Sequence, residues 1–187
     1  TPLLLLIGVS LFLRANGSSG RQVGRILIGL SLIFVSLDMI RASTGPIMAN
    51  PGTQMVMEYL GRDLLTAFII GAAFAWVIHS SVAAVLLFVT LASQSILPLM
   101  AAAAMILGAN LGGALIAYVL TLSAPIISRR IIVANLLLRG TGAILATLLI
   151  VFVPDIIFLL GSNPARQTIN LHLVFNLTLL IIALPLT

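Results

Sequence analysis

The feature that most constrains this chain is a run of 59 residues, from Leu64 to Leu122, that contains no Asp, Glu, Lys or Arg. The whole chain has 187 residues, of which 61% are hydrophobic and 7% are charged. Soluble domains carry about 25% charged residues, because charged side chains cover the surface that faces water. The composition therefore predicts an all-α, polytopic membrane protein, with the lipid bilayer as its first partner.

The positions of the few charged residues are typical of a membrane protein. All nine basic residues are Arg, and most of them stand at the ends of apolar runs rather than in one cluster. This arrangement predicts no nucleic-acid partner, although the net charge is +5. The absence of Cys from this sequence excludes disulfides and thiolate metal sites within it.

The breaks between the apolar runs divide the chain into three predicted segments. A straight helix needs about 20 apolar residues to span a bilayer. We expect residues 1–63 to hold a truncated N-terminal helix (3–13), a polar loop (14–25), a second transmembrane helix (26–40) and an outer loop (41–63) with a short interfacial helix. Residues 64–122 form the central segment, and residues 123–187 hold two C-terminal transmembrane helices, at 131–153 and 168–184.

The central segment consists of apolar pieces of 9 to 15 residues, each too short to span a bilayer. The interruptions are polar or glycine-rich: His79-Ser80-Ser81, residues 93–95 and Gly108–Gly113. We predict a re-entrant helical hairpin with its tip at 79–81, followed by a transmembrane helix that is broken at 108–113. Irregular backbone at membrane depth is tolerated only where protein or a water-filled cavity surrounds it, and secondary transporters build substrate sites in this way.

The distribution of Arg predicts the orientation of the hairpin. If the hairpin re-enters, residues 14–25 lie on the same side as Arg129 and Arg130, and that side holds five Arg and no acid. The positive-inside rule makes that side cytoplasmic. We therefore expect the hairpin to enter the membrane from the outer side.

Three motifs, in this order, resemble those of a known family. They are FIIGAAFAWVIHSSVAAVLL (68–87), MILGANLGGALIA (105–117) and NLHLVFN (170–176). In order and spacing they are similar to the type II sodium–phosphate cotransporters, in their bacterial branch, which carry Gln-Ser-Ser-Ser at a hairpin, then Gly-Ala-Asn-Ile-Gly-Thr, then His-x-x-Phe-Asn. That family has two inverted repeats. This chain shows one hairpin motif, so the resemblance implies one repeat, the second, with the missing first repeat as its partner.

Four positions depart from the family's pattern. His79 stands where Gln is usual, Val82 where a third Ser is usual, and Gly113 where Thr is common. Residues 129–139 also align weakly with residues 166–176, which places Arg139 opposite the Asn of the last motif. These departures leave the sodium stoichiometry and the transported anion open.

The resemblance implies a sodium-coupled symporter of inorganic phosphate in the bacterial inner membrane, and not an enzyme. Sodium is then the co-transported ion, and the hydroxyls of Ser80 and Ser81 are its expected ligands. Backbone N–H groups at the glycine-rich break are expected to bind the anion. The expected substrate and ion contacts are His79, Ser80, Ser81, Gly108, Asn110 and Gly112, and the further candidates are Arg139, His172 and Asn176.

Each of these residues also has a structural interpretation. A membrane Ser often bonds to the carbonyl one turn back, and glycine-rich stretches often let helices pack closely. On that interpretation His172 and Asn176 are interhelical polar ties. Arg139, about nine residues into its span, then faces the protein interior in a structural pair, because a charge that faced lipid there would be costly.

Two other functions stay open at this point. One is the transport of another anion, or of a lipid phosphate group, and the other is a structural membrane subunit that transports nothing. A membrane enzyme is disfavoured, because the two His are 93 residues apart and residues 64–122 hold no carboxylate. The sequence leaves the oligomeric state open, with a homodimer as one alternative.

Overall fold

The computed structural model describes residues 2–15 and 17–184, apart from the side chains of 44–48 and 128. This part of the chain is helical almost throughout and contains no strand. A 3-10 helix (Pro154–Leu160) lies between the last two of its α-helices. The α-helices are α1 (Pro2–Arg14), α2 (Ser18–Met48), α3 (Pro51–Arg62), α4 (Leu64–Val77), α5 (Ser81–Ser93), α6 (Leu99–Leu120), α7 (Ile126–Phe152) and α8 (Pro164–Ala183).

Four of these helices are long and apolar enough to cross a bilayer. They contain the spans Ser18–Ser43, Leu99–Leu120, Arg129–Phe152 and Pro164–Ala183. The prediction of an all-α, polytopic membrane protein is therefore confirmed. The helices form two compact units, one made of α1 and α2 and the other of everything from α3 onwards. The division into segments 1–63, 64–122 and 123–187 stays a prediction.

In the first unit, small residues bring α1 and α2 into close contact. A Cβ on Gly24 would lie 2.6 Å from the backbone nitrogen of Phe12, and a Cβ on Gly8 would lie 3.0 Å from that of Ile28. The guanidinium of Arg25 lies 5.5 Å from the centre of the Phe12 ring. The predicted polar loop at 14–25 was therefore wrong over most of its length, because a helix begins at Ser18 and its Gly24 packs against α1.

The second unit begins with a sharp bend. The axes of α3 and α4 differ by 108° at Asp63. The Asp63 carboxylate accepts hydrogen bonds from the Thr66 hydroxyl (2.6 Å), the Thr66 backbone N–H (3.0 Å) and the Tyr59 hydroxyl (2.8 Å). These bonds, with the Thr66 hydroxyl as the largest contributor, lower the pKa of Asp63 to about 2. An ionised Asp63 thus caps α4 and fixes the bend.

Helices α4 and α5 form the predicted hairpin. Their 14 and 13 residues are joined at Ile78–Ser80, where His79 has a φ of 55°. A Cβ on Gly61 would lie 3.1 Å from the Pro98 side chain, and a Cβ on Gly113 would lie 3.0 Å from that of Ser81. The hairpin therefore starts beside the beginning of α6 and turns near Gly113. Each arm is about 20 Å long, too short for the roughly 30 Å of a bilayer core.

The predicted break at Gly108–Gly113 was wrong in its location. Helix α6 runs without interruption from Leu99 to Leu120, and the break in the chain lies at Asp63 instead. A Cβ on Gly108 would overlap the Phe68 carbonyl, and a Cβ on Gly112 would overlap the Ala72 carbonyl. The glycines therefore serve the close approach of α4 to α6 rather than an unwound backbone.

Gly108→Ala should lower the free energy of unfolding by about 1–3 kcal/mol or more, because the added methyl group meets backbone atoms that no rotamer change can move. The measurement is denaturant unfolding of the full-length protein in detergent. Gly29→Ala is the matched control, since a Cβ at that position of α2 has no atom within 4 Å. Equal losses in the two variants would contradict the packing role.

Asp63→Asn should destabilise the protein at neutral pH, because the fold stabilises the ionised carboxylate. The folded pKa, about 2, lies below the ordinary value of 3.8. The contribution of Asp63 is therefore complete above roughly pH 5 and is lost as the pH falls toward the folded pKa. Unfolding curves of wild type and variant should converge over that range, and a gap that stays constant would refute this origin of the difference.

Candidate functional site

Seven of the nine predicted site residues fall into two groups in the structure, and Gly108 and Gly112 belong to neither. His79, Ser80 and Ser81 lie at the turn of the hairpin beside Gly113, and we name these four residues the tip cluster. A second group is joined by hydrogen bonds between α6, α7 and α8, and we name it the midspan network. Its members are Asn110, Arg139, His172 and Asn176.

Two adjacent hydroxyls in the tip cluster have different surroundings. The Ser80 oxygen caps α5 by accepting a hydrogen bond from the Ala83 backbone N–H at 3.2 Å. The Ser81 hydroxyl has no hydrogen-bond partner among the residues that the structure describes, and it lies 3.0 Å from the Cβ position of Gly113. Any larger residue at 113 would fill the space beside this hydroxyl. The Ser80 oxygen is thus engaged in capping the start of α5, whereas the Ser81 oxygen has no such bond among the described residues.

His79 is held by the backbone and faces outward. Its side chain is exposed, and its Nδ1 lies 3.1 Å from the Val77 carbonyl oxygen. Because a carbonyl can only accept, Nδ1 carries the proton of the neutral ring, and Nε2 is left as an acceptor. Its left-handed backbone is a conformation that His adopts more readily than most residues.

The tip cluster combines groups that suit both an anion and a cation. The first turn of α5 begins here, and the N–H groups of a helix start attract negative charge. A serine hydroxyl and the carbonyls of a turn are the neutral oxygens that a sodium ion needs in place of water. Clusters of three or more His, Cys, Asp or Glu that could hold a metal ion are absent from the described part of the chain.

The structure changes the expected contribution of Gly108 and Gly112. Both are buried in the contact with α4, and the backbone around them is helical. Backbone N–H groups freed by a break at 108–113 are therefore not present, and the start of α5 is where such groups occur. Direct contact of these two glycines with a substrate stays a prediction.

The midspan network begins at Asn110, whose side chain is 1% exposed. Its Nδ2 donates to the Ile106 carbonyl at 2.9 Å and lies 3.3 Å from Nδ1 of His172. Its Oδ1 accepts from Nδ2 of Asn176 at 3.2 Å, and that same nitrogen also donates to the His172 carbonyl at 2.8 Å. The amide oxygen of Asn176 accepts from Nη2 of Arg139 at 3.0 Å.

This network lies near the middle of three spans. Asn110, Arg139 and His172 each lie within two residues of the midpoint of their candidate span. Polar side chains at such a depth are costly unless they are paired, and they frequently mark substrate or ion pathways. The structural interpretation of His172 and Asn176 as interhelical ties is what the hydrogen bonds show.

Sequence reasoning missed two contacts that define these groups. The motifs do not predict the hydrogen bond that joins Asn110 to Asn176 across 66 positions. Nor do they predict that Gly113, a departure from the family's pattern, is the neighbour of Ser81. The available signal was the presence of all these residues in three motifs, since residues of one site often recur together.

Comparisons with known proteins show the family to which the chain belongs. The family model described as Na+/Pi-cotransporter matches residues 47–186. The chain is 34% identical, over 99% of its length, to a protein of Escherichia coli (strain K12) named "Putative inorganic phosphate export protein YjbB", of which it covers 34%. The protein of the same name from Salmonella typhimurium is 32% identical over 99% of the chain and 34% of that protein.

A more distant relative comes from Bacillus subtilis (strain 168). It is named "Uncharacterized protein YqeW" and is 24% identical over 98% of the chain and 60% of its own length. The chain thus spans about a third of the length of the first relatives, at 34% of each. No solved structure matches the chain. The family match over most of the chain, together with the helical hairpin and the three motifs, shows that this integral membrane protein belongs to the Na+/Pi-cotransporter family.

Proposed function

We propose that this chain forms one repeat of a sodium-coupled transporter of inorganic phosphate in the bacterial inner membrane. The observation that carries the proposal is the tip cluster: a helix start, an unpaired Ser81 hydroxyl and a glycine face one another where a short hairpin ends against a span. The family description and the phosphate-related name of the relatives support the choice of substrate. The missing first repeat supplies the other half of the site.

Phosphate binds here through donors rather than through a fixed full charge. The first-turn N–H groups of α5 point toward the turn, and their partial positive charge attracts an oxyanion. The His79 ring lies at the same turn, and its Nε2 is free of the bond that Nδ1 makes to Val77. Ser81 can donate its hydroxyl proton in the same place.

Sodium binds at the same turn through oxygens. The Ser81 hydroxyl oxygen is the strongest candidate ligand, because the Ser80 oxygen is already used as the cap of α5. A sodium ion and a phosphate anion in adjacent positions attract each other, so each raises the affinity of the site for the other. This mutual stabilisation is the physical basis of coupled transport.

The proposal predicts that the full-length protein, reconstituted in liposomes, moves radiolabelled phosphate faster under a sodium gradient than under an equal gradient of choline. An ionophore that collapses the sodium gradient should abolish the difference. Loading phosphate on either side shows whether net movement inward or outward dominates, which matters because the relatives are named as export proteins. Phosphate movement that ignores sodium would contradict the coupling, and no phosphate movement at all would favour a structural subunit or another anion.

Ser81→Ala should raise the sodium concentration for half-maximal transport by about tenfold, because the ion loses one oxygen ligand in a partly buried site. The substitution should have little effect on folding. Ser80→Ala, in contrast, should lower the free energy of unfolding by about 1 kcal/mol, because it removes the cap of α5. Ser93→Ala is the control, since this hydroxyl lies at the other end of α5 and bonds to the Thr90 carbonyl. Transport is normalised to protein in the membrane, and equal sodium dependence in wild type and Ser81→Ala would show that Ser81 is no ligand.

A further inference from the structure

The Arg139 side chain is the most unusual group of the midspan network. It is half-buried near the middle of a candidate span, and among the described residues it makes one hydrogen bond, from Nη2 to the Asn176 amide oxygen. A guanidinium has several N–H donors arranged as a planar fork. Among the described residues, the other donors of Arg139 have no acceptor. A charged group with unused donors at this depth calls for an anionic partner.

No carboxylate of the described chain is that partner. Its ion pairs join Arg41 to Asp38 and Arg62 to Glu58. Asp63 is engaged with Thr66 and Tyr59 at the bend and forms no ion pair with Arg139. Asp155, the remaining acid, lies in the 3-10 helix beyond the end of α7. The positive charge of Arg139 is therefore not neutralised within residues 2–15 and 17–184.

The network orients this charge through a series of hydrogen bonds in which each donor determines the next acceptor. Arg139 can only donate, so the Asn176 oxygen must face it and the Asn176 nitrogen must face Asn110. The oxygen of Asn110 is then the acceptor, and its nitrogen faces the Ile106 carbonyl and Nδ1 of His172. Nδ1 of His172 must consequently be unprotonated. Two amides and a neutral imidazole thus hold the guanidinium in place without satisfying it.

The location of Arg139 connects the network to the tip cluster. A Cβ on Gly140 would lie 3.2 Å from the Leu111 side chain, which places this part of α7 level with Asn110 on α6. Gly113, the neighbour of Ser81, is three residues further along α6 than Asn110, a rise of about 4.5 Å. Leu111 is two residues from Gly113, so the turn of α7 that carries Arg139 packs against the part of α6 that borders the tip cluster.

We propose that Arg139 is a binding residue for the transported oxyanion, with Asn176 as its positioning residue. This inference rests on the proposed function and names the group that supplies the full positive charge missing from the tip cluster. The ligand is a tetrahedral oxyanion of the phosphate class, which a guanidinium binds with two parallel N–H···O bonds. A carboxylate from the rest of the polypeptide is the competing partner, and the experiments below separate the two.

The first experiment compares phosphate dependence of transport in full-length Arg139→Lys and Arg139→Gln, normalised to protein in the membrane. Lys keeps the charge and loses the fork, so the half-saturating phosphate concentration should rise about tenfold. Gln loses both and should have a larger effect. Arg166→Gln is the control, because it removes the same charge from an exposed position in the first turn of α8. If both Arg139 variants keep wild-type phosphate dependence, the inference is wrong.

The second experiment needs no variant and therefore no assumption about folding. Wild-type protein is treated with phenylglyoxal, which modifies guanidinium groups, with and without sodium phosphate, and each Arg is quantified by mass spectrometry. We expect phosphate to protect Arg139 and to leave Arg129 and Arg130 unprotected. Equal labelling of Arg139 under both conditions overturns the inference. An Arg139 that is unreactive even without phosphate also overturns it, because another part of the protein then covers the guanidinium.

The two proposals fail in different ways. A wild-type protein that neither binds nor moves phosphate contradicts the proposed function. A wild-type protein that does so, while Arg139 shows no protection and its variants show no change, contradicts only the inference about Arg139. Two results together identify a structural ion pair: Arg139→Lys does not accumulate in the membrane, and Arg139 of the wild type does not react with phenylglyoxal.

Discussion

The close contact between α4 and α6 determines where every other part of the second unit lies. Helices in lipid gain little from the hydrophobic effect when they associate, so close packing of small residues supplies much of the attraction. Gly71, Gly108 and Gly112 let the two backbones approach until side chains larger than hydrogen would overlap carbonyl groups. The contact fixes the depth at which the hairpin turns, and with it the position of Ser81 beside Gly113.

The polar residues of the second unit divide the work between structure and function. Ser80 and Asp63 are helix caps, and their oxygens are already used by backbone N–H groups. Ser81, Nε2 of His79 and most donors of Arg139 have no such use among the described residues. Within a membrane, a polar group without a partner is expensive, and a ligand is one way to satisfy it. This contrast distinguishes neighbours that composition alone treats as equivalent.

The weak internal similarity between 129–139 and 166–176 acquires a physical meaning in the structure. It placed Arg139 opposite Asn176, and these two side chains bond to each other from neighbouring helices at 3.0 Å. Had both positions carried Asn, two neutral amides would meet at this point. Arg in one of them introduces a permanent charge, and the remaining amide orients it. The departure from the family's pattern is thus the origin of the unsatisfied donors.

The sequence by itself determined the class, the approximate location of several apolar helices and the place of the hairpin turn. Length and hydropathy suffice for this, because a bilayer demands apolar runs of fixed length and His79-Ser80-Ser81 interrupts one of them. It did not determine the role of the glycines at 14–25 and 108–113, since a flexible loop, a broken helix and a packing surface share one composition. Only the tertiary structure decided between them. The neighbouring backbone shows whether a glycine is required for its conformational freedom or because a side chain would have no room. The joining of Asn110, Arg139, His172 and Asn176 likewise required the packing of three helices.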